Sequence, residues 1–122
     1  MTSPFKGRTG LKRILNAAGY SRDGLCAAFR GEAAFRQLAL LNLVLVPLAF
    51  FLDVSRGERA LLVAVCLLAL IVELLNSAIE ATVDRISLER HPLSKNAKDM
   101  GSAAQLTSLV VIGLVWAIIL LG

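Results

Sequence analysis

The sequence predicts an all-α integral membrane protein in which three membrane-spanning helices follow an amphipathic helix on the membrane surface. Of the 122 residues, 57% are hydrophobic and only 18% are charged, and the mean hydropathy is +0.71. Soluble domains contain about 25% charged residues, and so short a chain has too little interior to bury this much apolar surface in water. The length suits a single domain, residues 1–122.

The predicted surface helix covers about residues 8–31. Leu11, Ile14 and Leu15 fall on one helical face, and the neighbouring basic residues point away from it. We expect an interruption before Ser21, which suits the N-cap of a second helical piece. A basic amphipathic segment of this kind is typical of a helix that lies in the membrane interface. The alternative is a positively charged leader with no further role.

Three apolar stretches approach the roughly 20 residues that a spanning helix needs, at about 33–52, 60–83 and 100–121. The first contains Pro47, which removes one backbone donor and favours a kink. It also begins too far along the chain for a cleavable signal peptide, so we expect it to be retained.

The distribution of Lys and Arg predicts the orientation of these spans. Seven basic residues lie in the N-terminal segment up to Arg36 and four lie in the second loop, whereas the first loop has two and the tail has none. Because positive charge stays in the cytoplasm, we expect a cytoplasmic N-terminus and a C-terminus on the outer side of the membrane. Basic residues that flank spans suit anionic lipid headgroups rather than nucleic acid.

An acidic stripe on the second predicted span is the most informative feature of the sequence. Glu73, Glu80 and Asp84 fall within about 20° of one line along a helix, and Asn76 lies about 60° to one side. Ionisable residues inside a span are costly, so they indicate function by default. The alternative is that Glu73 and Asn76 only bond helices together.

Further acids are predicted to gather at the same membrane face. Glu32 precedes the first span and Asp99 enters the third. Carboxylate oxygens suit Mg²⁺, which often bridges carboxylates and phosphates. Glu32 shares a helical face with Arg36, so a plain surface ion pair is the alternative for that acid. Since three helices cannot enclose such a site, we expect a symmetric homo-oligomer.

Four stretches of the chain resemble the prokaryotic diacylglycerol kinase family in its Gram-negative form. They read A17-A-G-Y-S21, E32-A-A-F-R-Q37, V72-E-L-L-N-S-A-I-E-A-T-V-D-R-I86 and A97-K-D-M-G-S-A-A104. The third stretch is the most specific, and the resemblance runs from about Arg13 to Trp116.

The resemblance implies a homotrimer of subunits with three spans and a surface helix in the cell inner membrane. Such an enzyme transfers the γ-phosphoryl group of MgATP to the hydroxyl of diacylglycerol and forms phosphatidic acid and ADP. Its implied partners are diacylglycerol, ATP, membrane lipids and two further copies of the chain, with Mg²⁺ as the cofactor.

The resemblance also implies roles for particular residues. Glu73 is the general base and Asn76 belongs to the same catalytic centre, while Glu32 and Glu80 hold the metal with ATP. The implied ATP-contacting residues are Arg13, Tyr20, Glu32, Glu80, Glu89, Arg90, His91, Lys98 and Asp99. The implied lipid-contacting residues are Arg13, Ser21, Gln37, Glu73, Ser102 and Trp116.

The chain departs from the family pattern at Arg22, Leu38 and Pro92, where a Trp and two acids are usual. Gram-positive relatives phosphorylate undecaprenol, so diacylglycerol as the acceptor is implied by the Gram-negative motifs alone. Two other classes of function remain open from the residues themselves. One is a channel or transporter subunit that uses Glu73 as an ion or proton site, and the other is a non-catalytic scaffold.

Overall fold

The structure, a computed structural model, describes residues 10–122 and is all-helical, as predicted. It contains α1 (Leu11–Gly31), α2 (Ala33–Phe51), α3 (Arg56–Ile86) and α4 (Pro92–Leu121). The last three are long and apolar enough to cross a membrane, so the chain is a multi-pass membrane protein.

Helices α3 and α4 are longer than the spans predicted inside them. With 31 and 30 residues, they extend about 45 Å each, against about 30 Å for the hydrocarbon core of a bilayer. Helix α2 has only 19 residues and so has the length of one membrane crossing. Residues 84–86 of α3 and 92–99 of α4 lie beyond the predicted spans, next to the loop that joins the two helices, residues 87–91, and we call this part of the molecule the α3–α4 end.

Helix α1 is one uninterrupted helix, so the predicted interruption before Ser21 is wrong. The hydroxyl of Ser21 does not cap a helix but donates to the carbonyl oxygen of Ala17, 2.9 Å away within α1. Apolar side chains in the first half of the helix, including Ile14, are exposed in the single chain. The predicted start near residue 8 lies outside the described residues.

Glu32 alone separates α1 from α2, with extended backbone angles of φ −122° and ψ 109°. Arg36 secures this junction, because its Nη1 donates to the carbonyl oxygens of Phe29 (2.8 Å) and Arg30 (3.1 Å). These are among the last carbonyl groups of α1, which lack partners within the helix. Arg36 therefore caps α1. The helical spacing had suggested an ion pair between Arg36 and Glu32 instead.

The α2–α3 connection is fixed at both of its ends. Helix α3 begins with a capping box, in which the Ser55 and Glu58 side chains each accept from the other's backbone N–H. Arg59 reaches back to the end of α2 and donates to the carbonyl oxygens of Ala49 (3.0 Å) and Leu52 (2.8 Å). The capping box and the two bonds of Arg59 thus fix the connection that holds α2 and α3 antiparallel.

Helices α3 and α4 also run antiparallel, and their contact forms most of the interior. Near the α2–α3 loop this interior is apolar and includes Leu62, Cys66, Ile112 and Trp116. The indole Nε1 of Trp116 donates to the carbonyl oxygen of Leu62 at 3.3 Å. This bond and the apolar contacts set the register in which the polar ends of α3 and α4 meet.

Asn42 links α2 to α3 within this interior. Its side-chain nitrogen donates to the carbonyl oxygens of Leu38 (3.0 Å) and Cys66 (3.2 Å). Polar side chains that bond across helices serve as adhesive contacts in membrane bundles. Asn42 therefore bonds two helices together, which is the structural role that the sequence analysis gave as the alternative for Glu73 and Asn76.

The contacts of Arg59 predict a difference between two neighbouring arginines. Arg59→Met should lower the free energy of unfolding by about 1.5–3 kcal/mol, because it leaves two carbonyl groups at the end of α2 without their charged donor. The matched control is Arg56→Met, since Arg56 has no side-chain hydrogen bond or ion pair among residues 10–122. Denaturation in detergent checks this, and equal stability of the two variants would contradict it.

Candidate functional site

Glu73 is a buried carboxylate in the middle of α3, with 4% of its surface exposed. Gln105 of α4 donates from Nε2 to Glu73 Oε2 at 3.0 Å. Within the described residues, no Lys or Arg forms an ion pair with it. The carboxylate is therefore held by a neutral donor, and its capacity to bind a proton or a cation is not used inside the chain.

Asn76 lies one turn along α3 from Glu73 and is also buried, with 8% of its surface exposed. It packs against Gly101 of α4 so closely that a Cβ atom at position 101 would overlap its side-chain oxygen. That oxygen, Oδ1, is buried and has no hydrogen-bond partner among residues 10–122. Gly101 is thus the residue that lets α4 approach the polar centre.

Two further carboxylates, Glu80 and Glu32, lie close enough to Glu73 to act on it electrostatically. Both are half-buried. Glu80 follows Glu73 by two turns, about 10 Å along α3, and Glu32 reaches α3 from the α1–α2 junction. Glu80 therefore shares α3 with Glu73, while Glu32 lines the crevice between α1 and α3.

The carboxylates fit a magnesium ion that is shared with another ligand. In the part of the chain that the structure describes, no three His, Cys, Asp or Glu side chains lie together in a metal-binding cluster. Mg²⁺ commonly takes one or two carboxylates and completes its shell with water and phosphate oxygens. Glu32 and Glu80 provide oxygen donors of this kind, so the donor set is suitable.

An open groove of about 650 Å³ lies at the α3–α4 end. Five residues that the sequence assigned to ATP line it, namely Glu89, Arg90, His91, Lys98 and Asp99. In the sequence, three of these residues lie in the loop and two lie in α4. The antiparallel packing of α3 and α4 brings all five to the same groove. The groove combines cationic and acidic groups, as recognition of a metal-bound polyphosphate requires.

Two ion pairs hold the lysines of this groove in place. Lys98 Nζ lies 2.6 Å from Asp84 Oδ1, and Lys95 Nζ lies 2.5 Å from Asp99 Oδ2. Both lysines precede the uncharged stretch 103–121, so they lie outside the membrane-spanning part of α4. The hydrogen bond to Asp84 raises the pKa of Lys98, which keeps this ammonium group charged beside the groove.

His91 begins α4 and shapes the groove through its ring. Its Nδ1 accepts from the backbone N–H of Leu93 at 3.1 Å, and Pro92 occupies the first helical position. A neutral ring that accepts at Nδ1 carries its proton on Nε2. His91 thus has a structural role as an N-cap that the sequence did not reveal, and Nε2 remains a donor for a ligand.

A second cavity, an open crevice of about 560 Å³, separates α1 from α3. Its walls are mainly small apolar residues, with Ser21, Glu32 and Ser77 among them. The buried hydroxyl of Ser77 has no hydrogen-bond partner in the described range. The crevice therefore places a carboxylate and an unused hydroxyl beside an apolar wall, which suits a molecule with a polar head and apolar chains.

Five residues assigned from the sequence lie outside these assemblies in the single chain. Arg13 and Tyr20 are exposed on α1, Gln37 is exposed on α2, and Ser102 is exposed on α4. Trp116 is buried about 16 Å along α4 from Gln105. None of the five lines the groove or the crevice described above.

Sequence reasoning missed Gln105 and Ser108, the side chains that support Glu73 from α4. Ser108 Oγ lies 2.5 Å from Gln105 Oε1 and donates to it. The signal was available, because these are polar residues on one helical face of an otherwise apolar span. Gly101, Gln105, Ser108 and Ile112 recur at the three- and four-residue spacing of a buried face.

Comparison with known proteins gives consistent matches along the chain. The family model for "Prokaryotic diacylglycerol kinase" matches residues 19–120. A diacylglycerol kinase of Pseudomonas aeruginosa (strain PAO1) is 82% identical over 120 residues, which cover 98% of each chain. That of Escherichia coli (strain K12) is 54% identical over 92% of each chain. The Haemophilus influenzae protein is 47% identical over 92% of this chain and 95% of its own.

The packing of Asn76 against Gly101 predicts opposite effects at two glycines of α4. Gly101→Ala should destabilise the protein by about 1–3 kcal/mol, because the added methyl group must displace the buried Asn76 side chain. Gly113→Ala is the control, since a Cβ there meets no atom within 4 Å, and it should be neutral or stabilise by up to about 1 kcal/mol. Thermal unfolding in detergent measures both, and a stable Gly101→Ala variant would contradict the prediction.

Proposed function

Because the chain belongs to the prokaryotic diacylglycerol kinase family, we propose that it phosphorylates diacylglycerol with ATP. It transfers the γ-phosphoryl group of MgATP to the lipid hydroxyl and releases phosphatidic acid and ADP. The observation that carries this proposal is the position of Glu73. This buried carboxylate, which has no cationic partner among residues 10–122, lies between the groove at the α3–α4 end and the apolar surroundings of the bundle.

Glu73 acts as the general base for the acceptor hydroxyl. As the hydroxyl oxygen forms a bond to the γ-phosphorus, the bond from that phosphorus to the β,γ-bridging oxygen breaks, and its electron pair leaves with ADP. The hydroxyl proton passes to the Glu73 carboxylate. Asn76, buried on the next turn of α3, belongs to the same catalytic centre.

Glu32 and Glu80 hold the magnesium ion that accompanies ATP. When bound, Mg²⁺ neutralises charge on the phosphate oxygens. The two carboxylates come from different elements, the α1–α2 junction and α3. They therefore fix the phosphate end of the nucleotide relative to Glu73, and positioning is the largest contribution that a protein makes to phosphoryl transfer.

The nucleotide occupies the groove at the α3–α4 end. Arg90 and Lys98 supply positive charge to the phosphates, His91 offers Nε2–H, and Glu89 and Asp99 orient the cationic groups. Arg13 and Tyr20 of α1 also contact ATP, and their exposure in the single chain suits a nucleotide that covers them on binding. A groove that is open on one side is consistent with entry of the nucleotide from the aqueous phase.

The lipid side of the site is formed by Glu73 with the exposed polar residues Ser21, Gln37 and Ser102. Arg13 and Trp116 complete the lipid-contacting set, Trp116 indirectly, because its side chain is buried in the single chain and bonds to Leu62. The protein lies in the cell inner membrane with its N-terminus in the cytoplasm and its C-terminus in the periplasm. This orientation places the α3–α4 end, with four basic residues in 84–99, on the side where ATP is found.

The chain functions as a homotrimer. Many large apolar side chains of α2 and α4 are exposed in the single chain, and Glu80 is only half-buried. Neighbouring copies would cover the acidic stripe of α3, which lipid chains cannot solvate.

A channel or transporter explains the structure less well. Such a protein needs polar groups along the whole membrane thickness. In the described chain, the buried residues between Glu73 and the α2–α3 loop are apolar except for Asn42 on α2 and Ser108 on α4. The polar stripe ends at Glu73, so the arrangement suits a reaction at one membrane face.

Replacement of the proposed base is the direct test of this function. Glu73→Gln should abolish phosphorylation of diacylglycerol in mixed micelles, because an amide of the same shape cannot accept the hydroxyl proton. ATP binding should persist, since the groove is separate from Glu73. The control is Asp53→Asn, which removes an exposed acid from the α2–α3 loop and should leave turnover unchanged.

Two outcomes would contradict the assignment. Turnover of Glu73→Gln near that of the unmodified protein would remove Glu73 as the base. Failure of the unmodified protein to phosphorylate any lipid alcohol in a panel of diacylglycerols and undecaprenol would remove the kinase function itself.

The groove predicts a separate effect on nucleotide affinity. Lys98→Met and Arg90→Met should each raise the KM for ATP about 10-fold, because each removes one charge-assisted contact to phosphate. The KM for diacylglycerol should stay unchanged, and kcat should change little, as expected when uniform binding is lost. Arg56→Met at the opposite end serves as the control, and an unchanged KM for ATP in both groove variants would place the nucleotide elsewhere.

A further inference from the structure

A continuous hydrogen-bonded chain from α4 supports the buried carboxylate. Ser108 Oγ lies 2.5 Å from Gln105 Oε1 and 2.8 Å from the backbone carbonyl oxygen of Gln105, so its single proton is shared between these two acceptors. Gln105 Nε2 donates to Glu73 Oε2 at 3.0 Å. The same Nε2 lies 3.4 Å from the carbonyl oxygen of Ala69. The amide of Gln105 is thus tied at its oxygen to α4 and at its nitrogen to α3.

These contacts determine which way the Gln105 amide faces. A carbonyl oxygen and an ionised carboxylate can only accept hydrogen bonds, and the amide end near Ala69 and Glu73 meets one of each. That end must therefore be the NH₂ group. The amide oxygen then faces Ser108, whose hydroxyl is able to donate. The reversed amide would set its oxygen against two acceptors, the Ala69 carbonyl and the Glu73 carboxylate.

We propose that Gln105 is a positioning residue, which holds Oε2 of Glu73 so that Oε1 is presented to the lipid hydroxyl. The inference rests on the proposed role of Glu73 as the general base. The terminal torsion of a glutamate has a broad, nearly two-fold preference, so an unrestrained carboxylate samples many orientations. A donor on one oxygen removes this freedom and leaves the other oxygen to accept the proton.

Ser108 positions Gln105 in turn. A glutamine side chain has three rotatable bonds, and immobilising it costs conformational entropy. The bond from Ser108 fixes the distal amide on α4, and Ser108 is itself 4% exposed. We therefore expect loss of Gln105 to have the larger effect on activity, because it removes the hydrogen-bond donor to Glu73. Loss of Ser108 leaves this donor in place and only makes it less rigid.

The test compares three variants of α4 in the intact protein, assayed for phosphorylation of diacylglycerol in mixed micelles. Gln105→Met keeps an unbranched side chain of similar length but cannot donate, and it should lower kcat about 10- to 100-fold. Ser108→Ala should lower kcat by a smaller factor. Thr107→Val is the matched control, because it removes a hydroxyl that bonds only to the backbone oxygen of Ala103, and its kcat should be unchanged.

The KM values and the double variant distinguish positioning from helix packing. The KM values for ATP and diacylglycerol should stay constant in all variants, because only the orientation of Glu73 changes. The Gln105→Met, Ser108→Ala double variant should be no slower than Gln105→Met alone, since Ser108 acts through Gln105. If Gln105→Met does not fold, Ser108→Ala against Thr107→Val decides the question by the same criterion.

Several results would overturn the inference. An unchanged kcat in Gln105→Met, with or without a lower unfolding temperature, would show that Gln105 only joins the helices. Equal losses in Ser108→Ala and Thr107→Val would point to general loosening of α4. Loss of turnover in Glu73→Gln together with normal turnover in Gln105→Met would refute the positioning role and leave the proposed function intact. Normal turnover in Glu73→Gln would instead refute the function on which the inference rests.

Discussion

The central constraint on this structure is that a carboxylate inside an apolar helical bundle must receive hydrogen bonds. Lipid chains offer no donors, so a buried acid must obtain its hydrogen bonds from the protein. Helix α4 meets this need with Gln105 and Ser108, while Gly101 allows close contact beside Asn76. The contact of α3 with α4, more extensive than any other in the molecule, is thus built around its most polar point.

The remaining elements serve this contact from a distance. Trp116 and Leu62 set the register of α3 and α4 through one hydrogen bond in the apolar part of the interior. Arg59 and Asn42 tie α2 to α3 through backbone carbonyls, and Arg36 ties α1 to α2 in the same way. Each link is made by a side chain that satisfies carbonyl groups at helix ends or between helices. The polar contacts therefore fix the positions of the helices relative to one another, since apolar packing alone distinguishes poorly between helix registers in lipid.

Much of this arrangement could be predicted from the sequence, for a physical reason. Spans are set by apolar length, and the acidic stripe is set by the 100° step of an α-helix, so both follow from local spacing. What could not be predicted depends on contacts between distant residues. Arg36 turned to the carbonyl groups of α1 rather than to Glu32, and Ser21 bonded within an unbroken helix instead of starting one. Gln105 is visible in the sequence as a polar residue in an apolar span, but its bond to Glu73 depends on the register of α4 against α3, which local spacing does not give.

The crevice between α1 and α3 is open on one side, and its walls are mainly apolar. If the lipid substrate enters through this crevice, it diffuses in two dimensions within the bilayer, and the product leaves by the same route without entering water. For such a kinase, the rate depends on the mole fraction of the lipid acceptor within the bilayer rather than on its total concentration in the suspension. Inert phospholipid then acts as a diluent, which slows turnover even when every component of the sample is otherwise held constant.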